Sequence, residues 1–351
     1  MIFDKRQTNI AKGVSVLLLL WHHLFYNNQD NYQLFHSVFI FKGIPVECFL
    51  ADFCKVCVAV FLILSGYGLC KSWERDSSSM ILKKNYKARV KADIIFVKNH
   101  LLKLMFSFWF VFIIFVPLSI WLGTPFYETY QGNIVYGIID FCGLSSLFGT
   151  PSVNATWWFM SPIIIYYLIF PILTKILEYC GELLLALSAF ILFVPVFYRI
   201  PGEVSIWLLP FTVGMYCSRI ELFERLDIRI NTYPKKSIFV GCAIISTALI
   251  RYSNTDMDTL FAIVIILCTY FLLSRVPVLN VILERLGKHS GTVFMFHTFI
   301  FYLYFKDFIY GFKYSLIIFL ILTVICYCVA VGLEYLKKLF RYDRLVHKLT
   351  S

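Results

Sequence analysis

The chain alternates long apolar runs with short polar breaks. Clear apolar segments lie near 13–27, 54–73, 104–122, 157–177, 183–198, 204–218, 238–251, 259–274, 290–305 and 314–335. Most approach the ~20 residues that a membrane-crossing helix needs. None shows the strict apolar–polar alternation of a membrane β-barrel strand. The pattern predicts an all-α polytopic membrane protein. An eleventh run, 134–149, is weaker, being short and carrying Gly137, Asp140 and Gly143.

Charge in the breaks sets the expected topology. The 74–103 break, read as a loop, holds eight basic residues: Arg75, Lys83, Lys84, Lys87, Arg89, Lys91, Lys98 and Lys103. The 219–236 break holds five (Arg219, Arg225, Arg229, Lys235, Lys236), and the 337–348 tail holds five more (Lys337, Lys338, Arg341, Arg344, Lys348). Basic loops stay on the cytoplasmic side, so an even number of crossings must separate the first two. The runs 104–122, 157–177, 183–198 and 204–218 supply four crossings. The 134–149 run is therefore expected to dip into the membrane from outside, or lie on it, after the third helix. Ten transmembrane helices follow, with both termini cytoplasmic, in one membrane domain covering 1–351 of the cytoplasmic membrane. The Ser77-Ser78-Ser79 stretch reads as linker. The first run has no small-residue cleavage site and is expected to remain as a helix.

Composition supports this reading. Of 351 residues, 60% are hydrophobic and 15% charged, and the mean hydropathy is +0.76. A soluble domain cannot hide that much apolar surface. The net charge of +11 raises nucleic acid as a partner, but the basic residues sit in alternate breaks, the signature of membrane orientation, so none is expected. The eleven cysteines fall mostly in apolar runs. The single CxxC, Cys54 and Cys57, has no second pair to complete a zinc site, so no metal is expected.

The candidate chemistry begins in the first apolar run. Lys12 and His23 stand eleven residues apart, close to three helical turns, so they share a face about 16 Å apart. His22 lies roughly 80° round from that face. A histidine inside a membrane helix is costly to keep and marks a functional site by default.

Four segments together resemble the acyltransferase 3 family of integral membrane acyltransferases. They are Lys12-Gly13 running to His23-Leu24-Phe25; Phe61-Leu62-Ile63-Leu64-Ser65-Gly66-Tyr67; Trp157-Trp158-Phe159-Met160-Ser161 continuing to Tyr167 and Pro171; and Leu286-Gly287-Lys288-His289-Ser290 continuing to Phe296-His297. The resemblance implies ten helices with a short re-entrant stretch after the third. It implies transfer of an acyl group, usually acetyl, from cytoplasmic acyl-CoA to a hydroxyl of a cell-surface glycan or lipid-linked sugar. It also implies a catalytic role for His23. Asn9 stands where the family often has Asp, and Lys98 to Lys103 where it often has paired arginines.

Each candidate has a plainer alternative. His23 suits a general base at neutral pH, or it bonds across a helix bundle; His22 is the second choice. Lys12 either meets CoA phosphates or anchors the helix at the interface. Ser65 and Gly66 either pack helices closely or leave a path for the pantetheine arm. Lys98 and Lys103 are further candidates for the CoA phosphates. Trp157 and Trp158 form an aromatic belt or stack on a sugar, and Tyr167 faces inward if the family pattern holds. His297 pairs with the catalytic centre or only with a neighbouring helix. Asp140 is the first carboxylate to test as a partner orienting His23, with Glu47 and Asp52 as alternatives. The competing function is a multi-pass transporter of a small polar or sugar-like solute, against which stands the lack of duplicated halves. A catalytically silent membrane scaffold is the third reading.

Overall fold

The structure is a computed structural model that describes residues 3–26, 32–77, 86–123, 126–193, 202–231, 236–253, 257–271 and 276–350. In chain order the helices are α1 (Lys5–Phe25), α2 (Val46–Cys54), α3 (Cys57–Ser77), α4 (Tyr86–Trp121), α5 (Phe126–Thr129), α6 (Ile134–Phe141), α7 (Ser145–Phe148), α8 (Met160–Cys180), α9 (Leu183–Phe193) and α10 (Gly202–Ile206). They continue with α11 (Leu208–Arg219), α12 (Leu222–Asn231), α13 (Lys236–Ser253), α14 (Asp258–Phe271), α15 (Pro277–Lys288), α16 (Ser290–Thr298), α17 (Lys306–Gly311), α18 (Ser315–Leu339) and α19 (Tyr342–Thr350). A 3₁₀ turn, Ala155–Phe159, leads into α8, and α16 widens into π geometry over Phe299–Tyr304. The only sheet among the described residues is a hairpin of β1 (Ile40–Phe41) and β2 (Ile44–Pro45).

Four stretches are long and apolar enough to cross a membrane: Val46–Asp76, Lys87–Trp121, Ala155–Cys180 and Ser315–Leu339. Shorter apolar helices cover Leu183–Leu192, Val240–Tyr252 and Asp258–Phe271. With 21 residues, α1 is about 31 Å long, enough for the hydrocarbon core. The chain is that of a helical membrane protein.

It divides into two compact units. One takes Met1–Phe61 and Glu221–Leu333, the other Leu62–Ile220 and Glu334–Ser351.

In the first unit α1 packs on α2, α14, α15 and α16. The Asp4 carboxylate caps its start, accepting from the Gln7 N–H at 2.9 Å. The α1–α15 crossing is made by two glycines. A Cβ at Gly13 would run into the backbone of Leu283, and one at Gly287 into the Asn9 carbonyl. The first and fourth motifs of the sequence thus meet backbone to backbone. Two polar knots hold the helix ends. Buried Glu47 accepts from Ser37 Oγ (2.7 Å), the Val38 N–H (2.9 Å) and Ser315 Oγ (2.9 Å). Buried Arg251 pairs with Asp258, reaches the Asp52 carboxylate at 3.4 Å and donates to the Asp52 carbonyl at 2.8 Å.

In the second unit the same device joins α3 to α11. A Cβ at Gly66 would strike the Phe211 carbonyl, and one at Gly214 the Ile63 carbonyl. Asp140 organises the segment between α4 and α8. Its carboxylate accepts from Tyr130 Oη (2.8 Å), Ser145 Oγ (2.8 Å) and the Val153 N–H (3.1 Å).

Several expectations need correction. The basic 74–103 break is not a loop: α4 begins at Tyr86, and Lys98 and Lys103 stand on it. Straight-chain lysines and leucines there are good helix formers, so charge does not end the helix. Ser78, Ser79, Lys83 and Lys84 lie outside the described residues, as does Lys235. The 134–149 run is two short helices parted at Gly143, whose φ of +70° favours glycine. At eight residues, α6 is about 12 Å long and does not reach across a ~30 Å core. The 204–218 run breaks at Trp207 into α10 and α11. No apolar run marked α15, because its polar face carries Glu284, Arg285 and Lys288.

Candidate active site

The C-terminal end of α1 is tied down on several sides. Trp21 Nε1 donates to the Glu47 carbonyl at 3.2 Å. The Tyr310 hydroxyl donates to the Leu24 carbonyl at 2.8 Å, which occupies one of the acceptors a helix end leaves unpaired. His22 Nδ1 lies 2.7 Å from the Ala51 carbonyl on α2. A carbonyl only accepts, so Nδ1 of His22 carries the proton.

His23 sits within this frame, half-buried. Its ring lies 4.9 Å from that of His22 and 4.9 Å from that of His297 on α16. His297 is fully buried, and its Nδ1 is 3.1 Å from the Val293 carbonyl and 3.0 Å from the Phe294 carbonyl. Two of the three imidazoles therefore have their tautomer set by backbone. Among the described residues no hydrogen bond fixes that of His23. Like His22, His23 is half-buried, and it is the ring of the cluster that no hydrogen bond commits among the described residues.

The structure thus brings together three of the four catalytic candidates, His22, His23 and His297. The fourth, Asp140, has its carboxylate filled by donors of its own segment in the second unit. Lys12 is half-buried on α1, and the continuous helix between it and His23 keeps the spacing of about three turns. Glu284 on α15 is held under the usual carboxylate range, first by its bond to Lys288 (2.7 Å) and then by Arg6 (3.1 Å).

The second unit carries the remaining candidates. Gly66 is taken up by the contact with α11, and Ser65 beside it is half-buried. Lys98 and Lys103 are both exposed on α4. Lys103 lines a cleft of about 130 Å³ with Trp73, Asp76, Phe96, Asn99 and His100. Trp157 is buried, with Phe108 edge-on at 4.9 Å and Phe112 stacked at 5.3 Å, so its ring serves packing. Trp158 stays half-buried and stacks on Trp207 at 6.0 Å. Tyr167 is half-buried. It is Tyr166 that turns fully inward, donating to the Val204 carbonyl at 2.7 Å.

Sequence reasoning missed the tethers Ala51 and Tyr310, and it singled out Glu47 as a carboxylate partner for His23 rather than for the backbone carbonyl that accepts from Trp21; such contacts act through backbone atoms or from distant segments and leave no local motif. Among the described residues no group of three or more His, Cys, Asp or Glu is placed to hold a metal ion.

Compared with known families, residues 7–335 match the one described as acyltransferase domain. No curated protein and no solved structure matches the chain.

Proposed function

The chain belongs to the acyltransferase 3 family, and from that premise we propose that this membrane acyltransferase moves an acetyl group from cytoplasmic acetyl-CoA to a hydroxyl of a surface glycan or lipid-linked sugar, with His23 as general base. One observation carries the assignment of the base: His23 is half-buried in a three-histidine cluster whose other two rings are committed to backbone carbonyls, and no hydrogen bond among the described residues commits its own. The family match runs through both compact units, which supports one working domain.

The chemistry follows from the ring. The unprotonated nitrogen of His23 takes the acceptor hydroxyl proton as the oxygen attacks the thioester carbonyl. The tetrahedral adduct collapses, the C–S bond breaks, and the leaving thiolate takes that proton back as CoA thiol. The donor carries phosphates, and Lys98 and Lys103, exposed on one basic helix, suit them as point charges. Lys12 offers another positive charge on the His23 face of α1. Trp158, which keeps an open edge, is the better sugar-stacking candidate of the two tryptophans, and Tyr167 remains a candidate with it.

Charge parity supports ten membrane crossings, cytoplasmic termini and a 134–149 stretch that enters without crossing, in the cytoplasmic membrane. Nothing in the family match or the fold favours the transporter reading. Purified protein supplied with acetyl-CoA and a glycan acceptor should release CoA thiol only when both are present. Solute uptake into proteoliposomes without any thiol release would instead mark a transporter.

A further inference from the structure

His297 has a nitrogen that the proton transfer above does not use. Its ring is fully buried and its Nδ1–H is spent on the Val293 and Phe294 carbonyls. The neutral ring then carries its lone pair on Nε2, and this atom is buried without a hydrogen-bond partner among the described residues. Buried polar atoms in native folds are nearly always paired, and an unpaired one calls for an explanation, a catalytic role among them. The rings of Phe294 and Phe301, at 6.2 and 6.3 Å, offer it no N–H or O–H. His23, 4.9 Å away and inclined at 51°, does.

We propose that His297 is a positioning residue for the reaction: in the acceptor complex its Nε2 accepts the N–H of His23, so that His23 turns its unprotonated nitrogen to the acceptor hydroxyl. This rests on the reading of His23 as the base. A ring separation of 4.9 Å needs only a modest side-chain rotation to close such a bond, and catalytic hydrogen bonds commonly tighten only once substrate is bound. The proton count closes. His23 takes one proton from the hydroxyl and becomes imidazolium, donating its second N–H to His297, then returns that proton to the thiolate. His297 gains and loses none. The π turn over Phe299–Tyr304 begins two residues after His297, and such turns recur at functional sites.

The test uses the full-length purified protein with His297→Phe, which keeps ring bulk and removes the acceptor, and His297→Gln, which restores an acceptor oxygen. Initial rates of CoA release and melting temperatures are measured for each, alone and combined with His23→Ala. His297→Phe is expected to lower kcat on the order of 10²-fold, in the range of acid–base contributions, with KM for both substrates little changed. His297→Gln should recover a clear part of kcat. In the His23→Ala background neither variant should matter further. Equal losses in both variants together with lowered melting temperatures would make His297 a packing residue and overturn the proposal. Full kcat in both, with His23→Ala inactive, would overturn it while leaving His23 as base. An active His23→Ala protein would remove the base assignment, and this inference with it.

Discussion

The ionisable residues in the apolar part of the first unit are resolved in different ways, and the differences separate structure from chemistry. Arg251 is 1% exposed and has three acceptors: Asp258, the Asp52 carboxylate and the Asp52 carbonyl. It also lies over the Phe53 ring at 5.2 Å. Such a group is structural, and removing one partner strands the others. Arg251→Ala should cost about 3–5 kcal/mol, read as a fall in melting temperature in detergent. An unchanged melting temperature would mean that water already reaches Asp258. Glu47 is satisfied in the same way by Ser37, Val38 and Ser315. His22 is partly so, through Ala51. His23 has no such commitment among the described residues, and its cost of burial is the one that function has to explain. Its spacing from Lys12 was legible in the sequence because a helix repeats along one face. The closeness of His297 stood in the sequence only as one of two alternatives, since His23 and His297 lie far apart in the chain and only the α1–α16 packing brings them together.

At the scale of elements, hydrophobic runs marked most helices but misplaced their ends. Long apolar stretches show where lipid or core is met, whereas a helix continues past them as long as its residues are good formers. That is how α1 begins at Lys5 rather than at 13, and α4 at Tyr86 rather than at 104. The amphipathic α15 escaped because Glu284, Arg285 and Lys288 interrupt its apolar run, although its buried Asn280, Leu283, Leu286 and Gly287 recur at helical spacing. The glycines of the first, second and fourth motifs now have a physical reason: Gly13 and Gly287 close the α1–α15 crossing, and Gly66 with Gly214 closes α3 on α11. The extension of α4 changes what its lysines can do. On a helix, Lys98 and Lys103 project from a firm support, whereas a loop would have let them wander. Replacing both with Gln should weaken acetyl-CoA binding several-fold, with KM for the acceptor unchanged. The effect should shrink as salt is added, because screening already weakens the native contacts. A double variant that inserts normally and binds acetyl-CoA as tightly as the parent across a salt series would reduce these lysines to determinants of orientation.

For the whole molecule, the family match over 7–335 and the helical fold define a membrane acyltransferase, and basic breaks supply the proposed orientation. The parity argument is directly testable. In a cysteine-free background, single cysteines at Ser78, which lies outside the described residues, and at Asn231 should react only with a reagent applied from the cytoplasmic side. One near Asn154 should react from outside. Opposite sidedness at Ser78 and Asn231 would mean that the 134–149 region crosses the membrane. All eleven native cysteines are free, so removing them breaks no disulfide. The central claim, however, concerns a single ring. The most direct measurement is acceptor-dependent CoA release by purified His23→Ala beside the parent and His22→Ala, with melting temperatures to confirm folding. The account expects His23→Ala to fold and lose transfer on the order of 10²–10⁴-fold, and His22→Ala to lose much less. A folded His23→Ala protein that releases CoA at the parental rate would contradict it.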